Sequence, residues 1–258
     1  MSDGRLRRGR DWWDLDPATA IERPEALAGE LRALASAAAA TPEDGELRWV
    51  VSQPTTAHDR VARAAAAAGG AVVHRDLVQL RRPLPVGAHE RTGLPAPRLR
   101  SFRPGVDEDA WLEVNRRAFA GHPDQGRTTR AELDWLESQP WFDPDGFLVL
   151  DGDGEGNGGG ERAARMDGFC WTKLHADHDP PLGEIFVIGV DPGRHGERLG
   201  PALTIAGLDH LHDRRGAPVG MLYVEASNLA AMRMYERLGF EPHHRDRVYV
   251  LRSPVFDV

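Results

Sequence analysis

One carboxylate, Glu184, stands at the head of the otherwise apolar run Leu182–Val190. After it come the turn Asp191-Pro192-Gly193 and the stretch His195-Gly196-Glu197-Arg198-Leu199-Gly200-Pro201, a glycine-rich loop opening a helix. A strand, a loop and a helix N-terminus in that order offer backbone N–H groups to an anion, most simply a pyrophosphate. By itself such a loop is a weak signal.

Other side chains of chemical interest each carry a plainer reading as well. Glu184 reads also as an exposed strand-end carboxylate, and Tyr235 as a core aromatic. Lys173 fits a solvated strand charge, Asp124 a loop-capping residue and Tyr223 simple strand packing. The run Asp151-Gly-Asp-Gly-Glu-Gly resembles a calcium loop only superficially. With Asp151 as position one, Arg162 falls where the bidentate glutamate belongs, so the run reads as a flexible loop. His175 with His178, and His243 with His244, raise the question of a metal. Neither pair has an evident third ligand, so both read as surface histidines and no metal is expected.

Composition narrows the partners. The chain has 258 residues, a net charge of −8 and one cysteine, Cys170. The acidic balance argues against nucleic acid or an anionic membrane surface as main partner, and the basic cluster Arg5–Arg10 reads as a solvated tail. A single cysteine excludes an internal disulfide and fits a reducing compartment. No apolar run reaches the roughly 20 residues that span a bilayer. A cytoplasmic, monomeric chain is the expectation.

The elements that must position these residues fall into two parts. Residues 1–22 show no sustained period and read as a flap or a mobile segment. Leucines at 27, 31 and 34 give a helix over 24–40. A strand over 47–52, an alanine-rich helix over 58–68 ending at Gly69-Gly70, and a strand over 71–82 follow. So few large apolar side chains bury too little area for a piece stable alone, and this part is expected to lean on the rest. Residues 83–97, rich in proline, read as a linker. The second part is predicted as a strand at 99–102, helices at 106–119 and 129–138, and strands at 147–150 and 166–175. The strand ending at Val190 follows, with its helix reaching 214, then a strand at 219–225, a helix at 229–238 and a strand at 247–252. That order describes an α/β fold, a mixed sheet with helices on both faces.

The order, the segment VIGVDPGRHGERLGPALT (187–204) and the later SNLAAMRMYERLGF (227–240) resemble the GNAT acetyltransferase family over residues 97–253. The second segment is the more specific. NRRAFAGHPDQG, WFDPDGFLVL, GFCWTKLHADH, LGEIFVIGVDP and LYVEASN are similar, more narrowly, to its mycothiol synthase branch. That branch has two tandem acetyltransferase-like halves, the C-terminal one active. The resemblance implies a partial, non-catalytic N-terminal half over 1–86, a linker over 87–97 and a catalytic GNAT domain over 98–258. It implies acetyl-CoA as co-substrate and the cysteinyl amine of desacetylmycothiol (Cys-GlcN-Ins) as acceptor.

The resemblance also implies roles. Ile188, Gly189 and Val190 would bind the pantetheine arm through the main chain, and His195, Gly196, Glu197, Arg198, Leu199, Gly200 and Pro201 would cradle the pyrophosphate. Asn228, Leu229, Ala230, Ala231, Met232 and Arg233 form a second stretch near the cofactor. Asp124, Lys173, Glu184 and Tyr223 match acceptor-binding positions. Acylating an amine needs a base, an oxyanion donor and an acid for the departing thiolate. Glu184 would be the base, the Val190 N–H the oxyanion donor, and Tyr235, with a phenol pKa near 10, the acid.

One position departs from the family pattern Q/R-x-x-G-x-G/A, with Arg198 standing in a glycine's place. With negative φ there, Arg198 would be neutral or add a contact; with positive φ it would cost on the order of 1–2 kcal/mol. The rival functions are a GNAT enzyme for another small amine and a non-catalytic acyl-CoA-binding protein.

Overall fold

The computed structural model describes residues 6–8, 12–15, 23–39, 46–52, 56–121, 125–152 and 165–251. In chain order the elements begin with β1 (Leu6–Arg8), β2 (Trp12–Leu15), α1 (Pro24–Ala39), β3 (Glu46–Ser52), α2 (Thr56–Gly69) and β4 (Ala71–Pro83). Next come β5 (Leu99–Ser101), α3 (Glu108–Ala118), α4 (Arg130–Glu137), β6 (Phe147–Asp151), β7 (Met166–His175) and β8 (Leu182–Val190). The chain continues with α5 (Leu199–Asp209), β9 (Val219–Glu225), α6 (Leu229–Arg237) and β10 (Glu241–Leu251). Contacts divide it into two compact units. Unit 1 is Met1–Gln79, Val224–Leu229 and Pro242–Val258, and unit 2 is Leu80–Tyr223 with Ala230–Glu241.

In unit 1 the strands run β1-β2-β3-β10-β4. β2 is parallel to β3, and β10 is antiparallel to it. Leu27, Leu31 and Leu34, one helical face of α1, are buried with Trp49, Val51, Ala62, Ala65, Ala66 and Tyr249. Trp49 and Tyr249 are register partners, their rings stacked 5.0 Å apart. Arg247 clasps Asp76 through two hydrogen bonds of 2.6 Å and also pairs with Asp59. The N-terminal leucines thus share a core with the last strand of the chain.

Two differences from the sequence reading stand out here. Residues 1–22 contribute β1 and β2, each too short for an alternating pattern to register. The last strand begins at Glu241 rather than 247, because Glu241–Asp246 is almost wholly polar and shows no buried period.

In unit 2 the order is β9-β8-β7-β6-β5, with β9 parallel to β8 and every other neighbour pair antiparallel. Its core is aromatic. Trp111 on α3 meets Phe147, Phe169 and Trp171 edge-on, while Phe147 stacks on Trp171 at 4.4 Å and on Phe102 at 4.2 Å. These pairs add directional preference to the area they bury. α5 approaches the sheet at Gly207, where a Cβ would stand 2.5 Å from Cys170 Sγ and 2.8 Å from Ile185 Cδ1. α5 ends at Asp209, and a π-turn, His210–Arg214, completes the predicted length. Among the described residues no helix is long and apolar enough to cross a membrane.

Asp107, just before α3, has a fully buried side chain that receives Arg100 at 2.6 Å and Arg103 at 2.9 Å. Burial alone would raise its carboxyl pKa, but hydrogen bonds from Arg103 and Arg100 outweigh burial and hold it below the usual carboxylate range. A depressed folded-state pKa gives stability that is present above the unfolded value, about 3.9, and is lost as pH falls through the folded one. Asp107→Asn is therefore expected to cost about 2 kcal/mol at neutral pH. Urea unfolding across a pH series should show the gap to the parent protein closing in acid. A gap unchanged to about pH 2 would contradict this assignment.

Candidate active site

The site is built around β8. Its antiparallel ladder with β7 sets Lys173 opposite Glu184, Thr172 opposite Ile185 and Trp171 opposite Val187, so Phe186 is a bulge residue. The parallel ladder with β9 covers only Leu182–Glu184 against Val219–Met221. Glu184 is therefore the last residue of β8 in register with β9, and Ile185–Val190 continue along an edge that this ladder leaves open. Cross-strand partners share a face, so Lys173, Glu184 and Met221 make one row. Tyr223, two residues beyond Met221, lies on the same face and is 40% exposed.

Glu184 is buried, and its Oε2 lies 2.6 Å from Nε2 of His175. His175 is two residues along β7 from Lys173, which places it diagonally across from the carboxylate. The Lys173 ammonium sits 4.5 Å from the centre of the Trp141 ring and 5.6 Å from that of Phe186, a cation–π arrangement that steers its chain. Asp124 lies outside the described residues, as does most of the glycine-rich run 151–161. Asp151 itself is taken up by two 2.8 Å hydrogen bonds from Arg100.

Past Val190 the chain is fixed by acid–base pairs. Asp191 accepts from the Gly193 N–H and from Arg117, both at 2.8 Å. Burial would raise the Asp191 carboxyl, but those hydrogen bonds hold it low. Arg194 bonds Asp167 and grips Glu197 through contacts of 2.6 and 2.8 Å. Gly196 has φ +92°, and His195, Glu197 and Arg198 are exposed.

Arg198 is the N-cap of α5 and adopts φ 58°, ψ 25°. It is the one non-glycine residue with positive φ among those described. This settles the question the sequence left open: the conformation is left-handed. The guanidinium reaches the Gly93 carbonyl at 3.2 Å. No side chain caps the helix, so the N–H groups of Leu199 and Gly200 have no intrahelical acceptor and Pro201 has no N–H. That is the donor set an anion such as a pyrophosphate takes.

Tyr235 is positioned by the end of α6. The Gly239 N–H donates to Glu236 O at 2.9 Å and the Phe240 N–H to Tyr235 O at 3.0 Å, a Schellman motif with Gly239 at φ +76°. The accompanying hydrophobic contact is Tyr235 against Phe240, ring centres 5.6 Å apart. Burial, with Cys170 nearby, pushes the phenol well above its ordinary pKa. The match to a pKa near 10 is thereby corrected: burial holds this phenol in its protonated form. Ala230, Ala231, Met232 and Arg233 occupy the first turns of α6, Met232 half-buried and Arg233 exposed. Asn228 and Leu229 fall in unit 1, where the Asn228 N–H donates to Glu225 O at 2.9 Å.

The sequence reading missed His175 as the partner of Glu184, and also Trp141 and Phe186 as the surroundings of Lys173. Strand alternation carried the first signal, since His175 and Lys173 share a face. The aromatic pair is brought together only by the bulge and the turn after α4.

Replacing Arg198 by glycine removes a left-handed penalty of about 1–2 kcal/mol and restores unfolded-chain entropy of about 0.5–1 kcal/mol. Arg198→Gly should raise the thermal midpoint slightly, while Arg198→Val should lower it, as read by calorimetric melting. A stabilised valine variant would mean the left-handed conformation is not required.

The model of the acetyltransferase (GNAT) family matches residues 109–240. A mycothiol acetyltransferase of Salinispora arenicola is 50% identical over 167 residues, 64% of this chain and 52% of the relative. One from Kocuria rhizophila is 42% identical over 230 residues, 87% of this chain and 69% of the relative. A GCN5-related N-acetyltransferase structure from Sphaerobacter thermophilus aligns with TM-score 0.61 at 20% identity, covering 96% of this chain and 76% of that one. The chain spans between about half and two thirds of the length of the curated relatives it matches. It belongs to the acetyltransferase (GNAT) family.

Proposed function

We propose that the chain transfers the acetyl group of acetyl-CoA to the cysteinyl amine of desacetylmycothiol, releasing mycothiol and CoA. One observation carries the reading: a buried carboxylate, Glu184, sits where β8 parts from β9, beside an open main-chain edge that leads to an uncapped helix. The curated relatives' name, mycothiol acetyltransferase, at 42–50% identity supports this acceptor.

Acetyl-CoA supplies the activated acyl group. The open edge at Ile188, Gly189 and Val190 accepts the pantetheine amides, and the N–H groups of Gly196, Arg198, Leu199 and Gly200 take the pyrophosphate. Glu184 removes the proton from the acceptor ammonium, directly or through water, and His175 holds the carboxylate in place. The Val190 N–H donates to the oxyanion. Tyr235, kept protonated by burial, donates to the sulfur as it leaves. Lys173 and Tyr223, on the face of Glu184, bind acceptor hydroxyls. In this reading residues 1–86 are a partial, non-catalytic acetyltransferase-like region, 87–97 a linker and 98–258 the catalytic part.

Purified protein incubated with both substrates and followed by mass spectrometry should show mycothiol. Binding of acetyl-CoA without transfer would favour an acyl-CoA-binding module, and transfer to other amines only would keep the chemistry and remove this acceptor. Glu184→Gln should lower kcat by roughly 10²- to 10⁴-fold, and Tyr235→Phe by a smaller factor. Calorimetric affinity for acetyl-CoA should stay near that of the parent in both. Near-normal turnover in both variants would overturn these roles.

A further inference from the structure

The turn leaving β7 reads His175-Ala176-Asp177-His178. One ligand atom from each of His175, Asp177 and His178 lies within 4.8 Å of the others, and the two imidazole rings stand edge-on at 6.0 Å. The sequence reading found no third ligand for this histidine pair; Asp177 corrects it. Among the described residues no other group of three such donors is this close.

Two imidazoles and one carboxylate suit a borderline divalent ion such as Zn²⁺, which takes three protein ligands and a water. They suit Mg²⁺ and Ca²⁺ poorly, because those ions want oxygen. A second observation is independent of the cluster. His175 Nε2 is engaged by Glu184 Oε2 at 2.6 Å, with side chains 22% and 10% exposed. A metal-bound histidine commonly gives its other ring N–H to a carboxylate, which fixes its tautomer and strengthens it as a ligand. Glu184 already holds that position, leaving Nδ1 for an ion.

We propose that His175, Asp177 and His178 bind a divalent transition-metal ion of the Zn²⁺ class, with Glu184 as the outer partner of His175. An ion on Nδ1 commits Nε2 to remain an N–H donor to Glu184. That is the bond by which His175 holds the base in place, so the bound ion fixes the orientation of the carboxylate and raises turnover. That consequence rests on Glu184 being the base; the binding of the ion does not.

The test is a calorimetric titration of chelator-stripped full chain with Zn²⁺, and separately with Mg²⁺, for the parent, Asp177→Asn and His178→Ala. Circular dichroism checks that each variant is folded. One saturable Zn²⁺ site is expected in the parent, weakened roughly tenfold or more in each variant, with no Mg²⁺ site. No saturable Zn²⁺ binding by the parent, or unchanged affinity in both variants, overturns the site. Turnover then separates the second part: Zn²⁺ should raise the turnover of the parent and leave that of His178→Ala unchanged. Binding with indifferent turnover leaves the site standing and removes its coupling to Glu184.

Discussion

The parallel ladder between β8 and β9 holds over Leu182–Glu184 against Val219–Met221 and then gives out. Strand edges in a packed domain need hydrogen-bond partners, so an edge left open over Ile185–Val190 asks for an occupant with amide groups of its own. The bulge at Phe186 marks the same point, since an extra residue increases local twist and turns the strand away from its neighbour. α5 lies close against β8 because Gly207 leaves no side chain between them. A charged group on the last paired residue is therefore buried beside the opening, and a helix N-terminus lies a short loop beyond.

Between that opening and α5 the loop's charges are spent on one another. Asp191 is neutralised by Arg117 and Arg165, and Arg194 is divided between Asp167 and Glu197. Partly buried ion pairs of this kind contribute little net stability but fix geometry when several share partners. Here they hold the turn without a side chain reaching the first N–H groups of α5. No side chain has to move to expose those donors, which is what preorganised electrostatic binding requires.

How much of this could be read from the residues alone follows from the range of each interaction. The helices over 24–40, 106–119 and 229–238 were legible because 3.6-residue spacing and a Leu-Gly-Phe stop are local signals. The order of elements in the second part was legible for the same reason. β1 and β2 were not, since three or four residues carry no period. The aromatic seat of Lys173 joins Trp141 from a turn with Phe186 from a bulge, and no sequence spacing encodes that meeting. Nor does composition reveal that Tyr249, near the chain's end, closes the core of the first two helices.

Arg198 separates two reasons a family pattern can demand glycine. One is steric, where a side chain would block a ligand's approach to the main chain. The other is conformational, where the chain must turn left-handed. Arg198 meets the second demand, at φ 58°, while its side chain runs away to the Gly93 carbonyl. Gly196, two positions earlier, also has positive φ, so the loop makes two such turns in quick succession. A non-glycine residue therefore holds a left-handed conformation here, at a strain cost of the kind that collects at binding sites. The departure from the pattern falls on stability rather than on the donor set.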